Sequence, residues 1–289
     1  MAVANHAKIR QAGRQMVEAW QAVARSLSRL GRLTRVGSYL TLGGLCACEP
    51  ELSAGAWTCD AGDAKPPAIT DPVAMPWSTS FEDRFCDYTA ATGFCYESSA
   101  ASFDIVTEPV HSGRYAAAFT LNTEDTSGGQ ARCVRQGVLP TSAYYGAWYF
   151  VPARAKTNGR NWNLFFFQGG DGPGPRMRNL WSVTLVDGRN DSLELVLFGT
   201  LPGKVYRPPA PTPIPIGSWF HIELFLKRAV DDTGEVALYQ DGTLLFEVKN
   251  LVTDDDSAFE QWYVGNLADD LAPSNSTLYV DDVSIRAQR

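Results

Sequence analysis

Between residues 218 and 248 polar and apolar positions alternate over three short runs. Phe220, Ile222, Leu224 and Leu226 are apolar, while Trp219, His221, Glu223 and Lys227 take the odd positions and Phe225 interrupts the polar set. Successive side chains of a strand point to opposite faces, so this period of two predicts a strand with one buried and one open face. Asp231-Asp232-Thr233-Gly234 turns the chain, residues 235–240 return, and Asp241-Gly242 predicts a tight hairpin into residues 244–248. Comparable runs, separated by Gly, Pro, Asn and Asp, predict strands at 78–82, 103–107, 115–121, 131–136, 144–151, 163–168, 181–186, 193–198, 262–265 and 277–286. No run in this part predicts a helix of useful length. Many short strands at regular spacing predict an all-β fold, an antiparallel β-sandwich of the jelly-roll type over residues 77–289.

The first 76 residues follow a different pattern. Residues 1–35 are polar and basic, with Arg25, Arg29, Arg32 and Arg35 near their end. Residues 36–47 are uncharged and mostly apolar. That run is too short to span a bilayer, which takes roughly 20 residues, and suits the apolar part of a signal peptide. It closes on Leu45-Cys46-Ala47-Cys48, which resembles a bacterial lipobox. The resemblance implies lipidation of Cys48 and a membrane-anchored protein of the cell envelope; Cys46 departs from the usual small residue, and plain secretion is the alternative. The leader is long enough that Met16 is an alternative start. Residues 49–76, rich in Ala, Gly and Pro, read as a tether.

Cysteine usage agrees with export. Without Cys46 and Cys48, four cysteines remain, Cys59, Cys86, Cys95 and Cys133, an even number that predicts two disulfides in an oxidising compartment. Of the three pairings, Cys86–Cys95 closes a short loop and leaves Cys59–Cys133. No Cys-x-x-Cys stands beside a histidine, which argues against zinc.

The chain has 289 residues, is 45% hydrophobic and carries a formal net charge of −7. The charge is uneven. Arg132, Arg135, Arg154, Lys156, Arg160, Arg176, Arg178 and Arg189 crowd the middle, and aspartates crowd the end. A basic region on an acidic protein is a candidate site for an anionic ligand such as an acidic polysaccharide. No nucleic-acid partner and no assembly beyond a monomer are expected.

Three stretches carry a family resemblance: Ser80-Phe81-Glu82-Asp83, Val110-His111-Ser112-Gly113-Arg114-Tyr115-Ala116, and Tyr279-Val280-Asp281-Asp282-Val283-Ser284-Ile285. With Gly217-x-Trp219 and Tyr239-x-Asp241-Gly242, they resemble the concanavalin-like and laminin-G-like jelly rolls, among them polysaccharide lyases of the heparin-lyase type and related carbohydrate-binding domains. The resemblance implies a carbohydrate-recognising domain, with a uronate-cleaving lyase and a non-catalytic structural protein as alternatives. It also implies a structural calcium ion held by Glu82 with Asp281 or Asp282.

A lyase that works by β-elimination needs a cation or amide to neutralise the uronate carboxylate, a base for the adjacent proton, and an acid for the leaving oxygen. The candidates are Arg132 or Arg135 with Asn163 and Gln168 for the first, His221 for the second, and Tyr149 or Tyr239 for the third. Trp162, Trp181 and Trp219 are candidate stacking surfaces for sugar rings, with Arg135 and Glu223 as polar companions. The competing reading makes His221 a structural strand histidine and most of the tryptophans core. The Arg-x-Glu-Leu-Arg, Gln-x-His and Tyr-Phe-Lys-x-Gly strands of alginate lyases of this fold are absent. Leu193-Glu194-Leu195 lacks the spaced carboxylates of the fold's glucanases, which excludes a paired-carboxylate hydrolase. No Gly-x-Ser-x-Gly, His-Glu-x-x-His or phosphate loop occurs.

Overall fold

A computed structural model describes Cys59 and residues 70–98, 100–124, 129–171 and 177–289. The signal segment, Cys48 and most of the tether lie outside the described residues. Fifteen strands run in the order β1 (Trp77–Thr79), β2 (Phe94–Glu97), β3 (Ala101–Val106), β4 (Ala116–Asn122), β5 (Gly129–Gly137), β6 (Ser142–Phe150), β7 (Trp162–Gly170), β8 (Arg178–Asp187), β9 (Leu193–Gly199), β10 (Lys204–Tyr206), β11 (Trp219–Lys227), β12 (Gly234–Gln240), β13 (Thr243–Leu251), β14 (Phe259–Ala268) and β15 (Asn275–Arg286). One short α-helix, α1 (Cys86–Thr89), and a 3-10 turn at Arg189–Asp191 interrupt them among the described residues.

The strands form two antiparallel sheets packed as a sandwich. The first has the order β13-β12-β11-β6-β15-β4-β3, with β1 added along β15; the second has the order β10-β9-β8-β7-β14-β5-β2. The alternation of β11 is used as expected. Phe220, Ile222, Leu224 and Leu226 point into the core, where they join Tyr145 and Tyr149 of β6, Phe165 and Phe167 of β7 and Trp262 and Val264 of β14. Each such side chain contributes about 1.5–3 kcal/mol by leaving water. Asp241 and Gly242 make the hairpin between β12 and β13 with φ of +50° and +77°, the left-handed geometry that this turn requires.

Two strands escape the alternation. β2 is four residues long, and β10 is three. The first of them corrects the disulfide pairing. β2 runs antiparallel to β5 with Cys95 directly opposite Cys133, and these two are bonded at a Cα separation of 4.0 Å. Cys86, on α1, instead bonds Cys59. Strand pairing outweighs loop length here: once Cys95 faces Cys133 across a ladder, it cannot also reach Cys86.

Candidate active site

Residues of the second sheet that point away from the core form a separate cluster, Val134, Phe166 and Tyr263, with Phe94 and Tyr96 packed against it. The parity follows from their neighbours. Ala131 and Cys133 of β5, Phe165 and Phe167 of β7, and Trp262 and Val264 of β14 all lie in the main core. Arg132, Gln136, Gln168, Gln261 and Tyr263 therefore share the opposite face.

The register arranges these groups in rows across β5, β14 and β7. Gln261 lies between Gln136 and Gln168, and Tyr263 between Val134 and Phe166. Gly265 lies opposite Arg132, and beyond an irregularity in the ladder Leu267 lies opposite Asn163. Gly265 has φ of +141°, and a Cβ there would stand 2.5 Å from the Ala131 carbonyl oxygen and 2.8 Å from the Arg132 Cα. Glycine is what lets β5 approach so closely.

Arg132 is held in a cage of rings, its guanidinium 4.4 Å from the centre of Tyr263, 5.2 Å from Phe166 and 5.6 Å from Tyr96. Its Nη2 donates to the Tyr96 hydroxyl at 2.6 Å and to Gln130 Oε1 at 2.5 Å. Its Nε and Nη1 are buried and have no partner among the described residues. Both side-chain amide atoms of Asn163 are in the same condition. Buried polar atoms are nearly always paired, so two such groups flanking one strand mark a place built for something else. Tyr263 donates to Gln168 Oε1 at 2.7 Å and also contacts Gln261 Oε1, while Gln168 Nε2 donates to Asn179 at 3.0 Å. Burial pushes the Tyr263 hydroxyl well above the usual tyrosine range; Tyr96 adds to this and Arg132 opposes it. The face thus holds a caged cation, a free amide and a phenol kept protonated.

Of the expected catalytic residues, Arg132, Asn163 and Gln168 come together here. The others do not. His221 sits on the outer face of the other sheet, opposite Trp148. Tyr239 is on that sheet too, under the Arg289 guanidinium. Tyr149 is fully buried in the core, where its hydroxyl donates to the Leu164 carbonyl at 2.9 Å and accepts from Gly265 N at 3.3 Å. Trp162 and Trp181 are core residues, their indole N–H groups donating to Asn266 and to the Thr253 carbonyl. Arg135 has the inward parity of β5. It lies 4.4 Å from the Trp77 ring and donates to the Ala91 carbonyl, and burial lowers its pKa to about 10. Glu223 is on the first sheet, buried between Arg286 and Arg289. Trp219 is half-buried on that sheet, its ring edge-on to His111. Tyr263 and Tyr96 are the tyrosines that stand beside Arg132, and neither was among the expected catalytic residues. The signal was the parity of Gln261 and Tyr263 against Trp262 and Val264, weak because both sets carry aromatic or apolar members.

The expected calcium ligands, Glu82, Asp281 and Asp282, all accept hydrogen bonds from residues 111–115. Asp281 accepts from the backbone N–H groups of His111 and Ser112 at 3.0 and 3.1 Å, and Asp282 takes His111 Nδ1 at 2.6 Å and the Ser112 hydroxyl at 2.9 Å. Glu82 accepts from the N–H groups of Arg114 and Tyr115. These carboxylates are met by N–H and O–H donors of residues 111–115. Among the described residues no group of three or more His, Cys, Asp or Glu is placed to hold a metal. A calcium ion held by Glu82 with Asp281 or Asp282 would make the melting temperature fall by several degrees on chelation, since a ligand of the folded state is removed. Differential scanning calorimetry with and without EDTA checks this, and an unchanged melt would remove the ion.

The fold has relatives among solved structures. An endo-β-1,4-glucuronan lyase from the fungus Trichoderma reesei is 18% identical with a TM-score of 0.53, over 68% of this chain and 90% of that one. Alginate lyase Aly36B is 13% identical with a TM-score of 0.52, over 75% and 98%. The cellulose induced protein Cip1 is 14% identical with a TM-score of 0.50, over 73% and 97%. At these identities the likeness is one of fold. No curated protein sequence matches the chain. The family model described as polysaccharide lyase matches residues 77–284, from the first residue of β1 into β15, and since that takes in both sheets and the whole outer face around Arg132, the chain belongs to the polysaccharide lyase family.

Proposed function

We propose that this protein cleaves a uronate-containing polysaccharide by β-elimination on the outer face of the second sheet. The observation that carries the reading is the pair of unpartnered groups, Arg132 and Asn163, on either side of β14 next to Tyr263. A uronate carboxylate placed there meets the free N–H groups of Arg132 and the amide of Asn163, which stabilise the negative charge that builds as the neighbouring proton leaves. Tyr96, the other hydroxyl at the guanidinium, takes that proton as the phenolate left once its own proton has passed to solvent. The electron pair forms the new carbon–carbon double bond, and the glycosidic carbon–oxygen bond breaks. Tyr263, held protonated on the glutamines, gives its proton to the leaving oxygen. The glucuronan and alginate lyases of similar fold are named for uronate polymers, which supports this substrate class.

The test is ultraviolet absorbance of the protein mixed with glucuronan, alginate and other uronate chains, since each cut creates an absorbing unsaturated end. Arg132→Gln is expected to lower kcat/KM by about a hundredfold, the usual cost of one charge-stabilising donor. His221→Ala is expected to leave cleavage of a short oligosaccharide unchanged, because His221 is on the other sheet. The reverse pattern would move the chemistry to the first sheet. Retention on a polysaccharide gel with no new ends would make the protein a binding module.

The site works outside the cytoplasm in this reading, in keeping with two disulfides and a polymeric substrate. Lipidation at Cys48 would hold it at the cell envelope on its tether. Cys48→Ser is expected to shift the protein from the membrane fraction to the soluble one, measured by blotting both; unchanged membrane retention would refute the anchor.

A further inference from the structure

The outer face of the first sheet has a cavity of about 560 Å³ that the cleavage reading leaves without a use. Ser78 and Ser80 line one side, Ser284 and Arg286 of β15 another, and Trp148 of β6 and His221 of β11 the rest. Gly146 opens its floor: a Cβ there would stand 3.0 Å from His221 Nε2 and 3.4 Å from Ser284 Oγ, so both polar atoms face the same small space.

The lining has unused hydrogen-bonding capacity. His221 bonds Asp241 through its backbone and Asp241 carboxylate, but its ring nitrogens take no hydrogen bond among the described residues. Arg286 donates Nη2 to Glu223 at 2.5 Å, and its Nε is buried without a partner. Trp148 is fixed as a wall by stacking on His111 at 3.8 Å, and His111 is in turn held by Asp282 at 2.6 Å. The positive charges beside the cavity are already answered. Glu223 takes both Arg286 and Arg289, and the Asp282 carboxylate lines the wall.

We infer that this cavity is a second saccharide-binding site, one that takes neutral, hydroxyl-bearing sugar units on the face opposite Arg132 and Tyr263. Each sugar hydroxyl both donates and accepts. The serine hydroxyls and a neutral imidazole do the same, and the Arg286 Nε–H adds one more donor. Burial lowers the His221 pKa, which keeps the ring neutral near pH 7. A purely apolar ligand would leave these groups unpaired, and a strongly anionic one would meet Asp282 with no free cation to match it. The volume falls within the range of ordinary small-ligand pockets, about 300–1,000 Å³, enough for a sugar unit or two. The inference rests on the cavity and on family membership, and does not need the cleavage reading to hold. A polymer held here would stay near the other face between events, raising its local concentration there.

The experiment uses Tyr263→Phe/Arg132→Gln protein, in which the second sheet is disabled, titrated calorimetrically with cellotetraose and separately with tetraglucuronate. Cellotetraose is expected to bind with a millimolar or tighter Kd, and Ser284→Trp, which fills the cavity, to weaken it at least tenfold. His221→Ala in the same background is a milder second variant, expected to weaken binding several-fold should the tryptophan disturb folding. The inference is overturned if cellotetraose does not bind the folded double variant, or if both cavity variants bind it unchanged. Tetraglucuronate binding alone, indifferent to the cavity variants, also overturns it. Cavity-dependent binding by a protein whose wild type cuts no uronate chain would sustain this site and remove the cleavage reading.

Discussion

Tyr263→Phe is expected to lower the proposed cleavage rate about a thousandfold and to leave the fold in place. In the proposed mechanism the hydroxyl supplies the proton that the leaving oxygen needs, and general acid catalysis is worth about a hundred- to ten-thousandfold. A thousandfold corresponds to about 4 kcal/mol in the barrier. Little of that is structural. The ring still packs edge-on against Phe166 at 5.7 Å and still lies under Arg132. What the fold loses is the hydroxyl's contact with Gln168 and Gln261, worth about 1 kcal/mol, or roughly 3 °C in melting temperature. Steady-state rates on a uronate polymer, with melting curves for both proteins, separate the two effects. A variant that still cuts at a tenth of the wild-type rate would take Tyr263 out of the chemistry.

Arg228→Ala is expected to cost about 3–5 kcal/mol of stability, the usual result of stranding a buried charge. Arg228 follows β11 on the first sheet and reaches Glu260, on β14 of the second, and Asp254 at 2.7 Å. It also donates to the Leu139 carbonyl at 2.6 Å, and Glu260 accepts from Leu139 N at 2.8 Å. Glu260 is only 1% exposed, so without the guanidinium its charge keeps the Leu139 N–H alone, with no opposite charge and no water. A drop of about 10 °C in melting temperature follows for a domain of this size. Thermal melts of Arg228→Ala and Arg228→Lys decide it: lysine should restore part of the loss, and an alanine variant that melts within 2 °C of wild type would show that the triad carries no such load.

The fold was legible where one strand parity was polar. β11 shows its buried face as Phe220, Ile222, Leu224 and Leu226, and most strands of the sandwich fall on runs that the alternation marks. β2 was not legible, because four residues are too few to show a period, and the disulfide pairing went wrong with it. The site was half legible. Arg132, Asn163 and Gln168 are residue types that the chemistry asks for, and they do meet. The expected base and acid, His221 and Tyr149 or Tyr239, lie apart from them, and the tyrosines that stand there instead were hidden because parity is ambiguous on β7 and β14. Phe165, Phe166 and Phe167 look alike in sequence, yet the middle one faces away from the core. His221 drew attention as a lone histidine on a polar face, but which of two sheets a strand joins is a matter of long-range pairing that no local pattern carries.

The pairing of β14 with β5 has a consequence for when activity can first exist. Trp262 lies opposite Arg135 and Gly265 opposite Arg132, so the guanidinium and the phenol meet only after more than a hundred residues between them have been placed. Loop closure over such a span is late and slow compared with hairpins such as β12–β13. In the proposed reading, a chain whose β14 is not yet free can fold its local hairpins but lacks the face around Arg132 and Tyr263, so cleavage would begin only once the whole domain has folded.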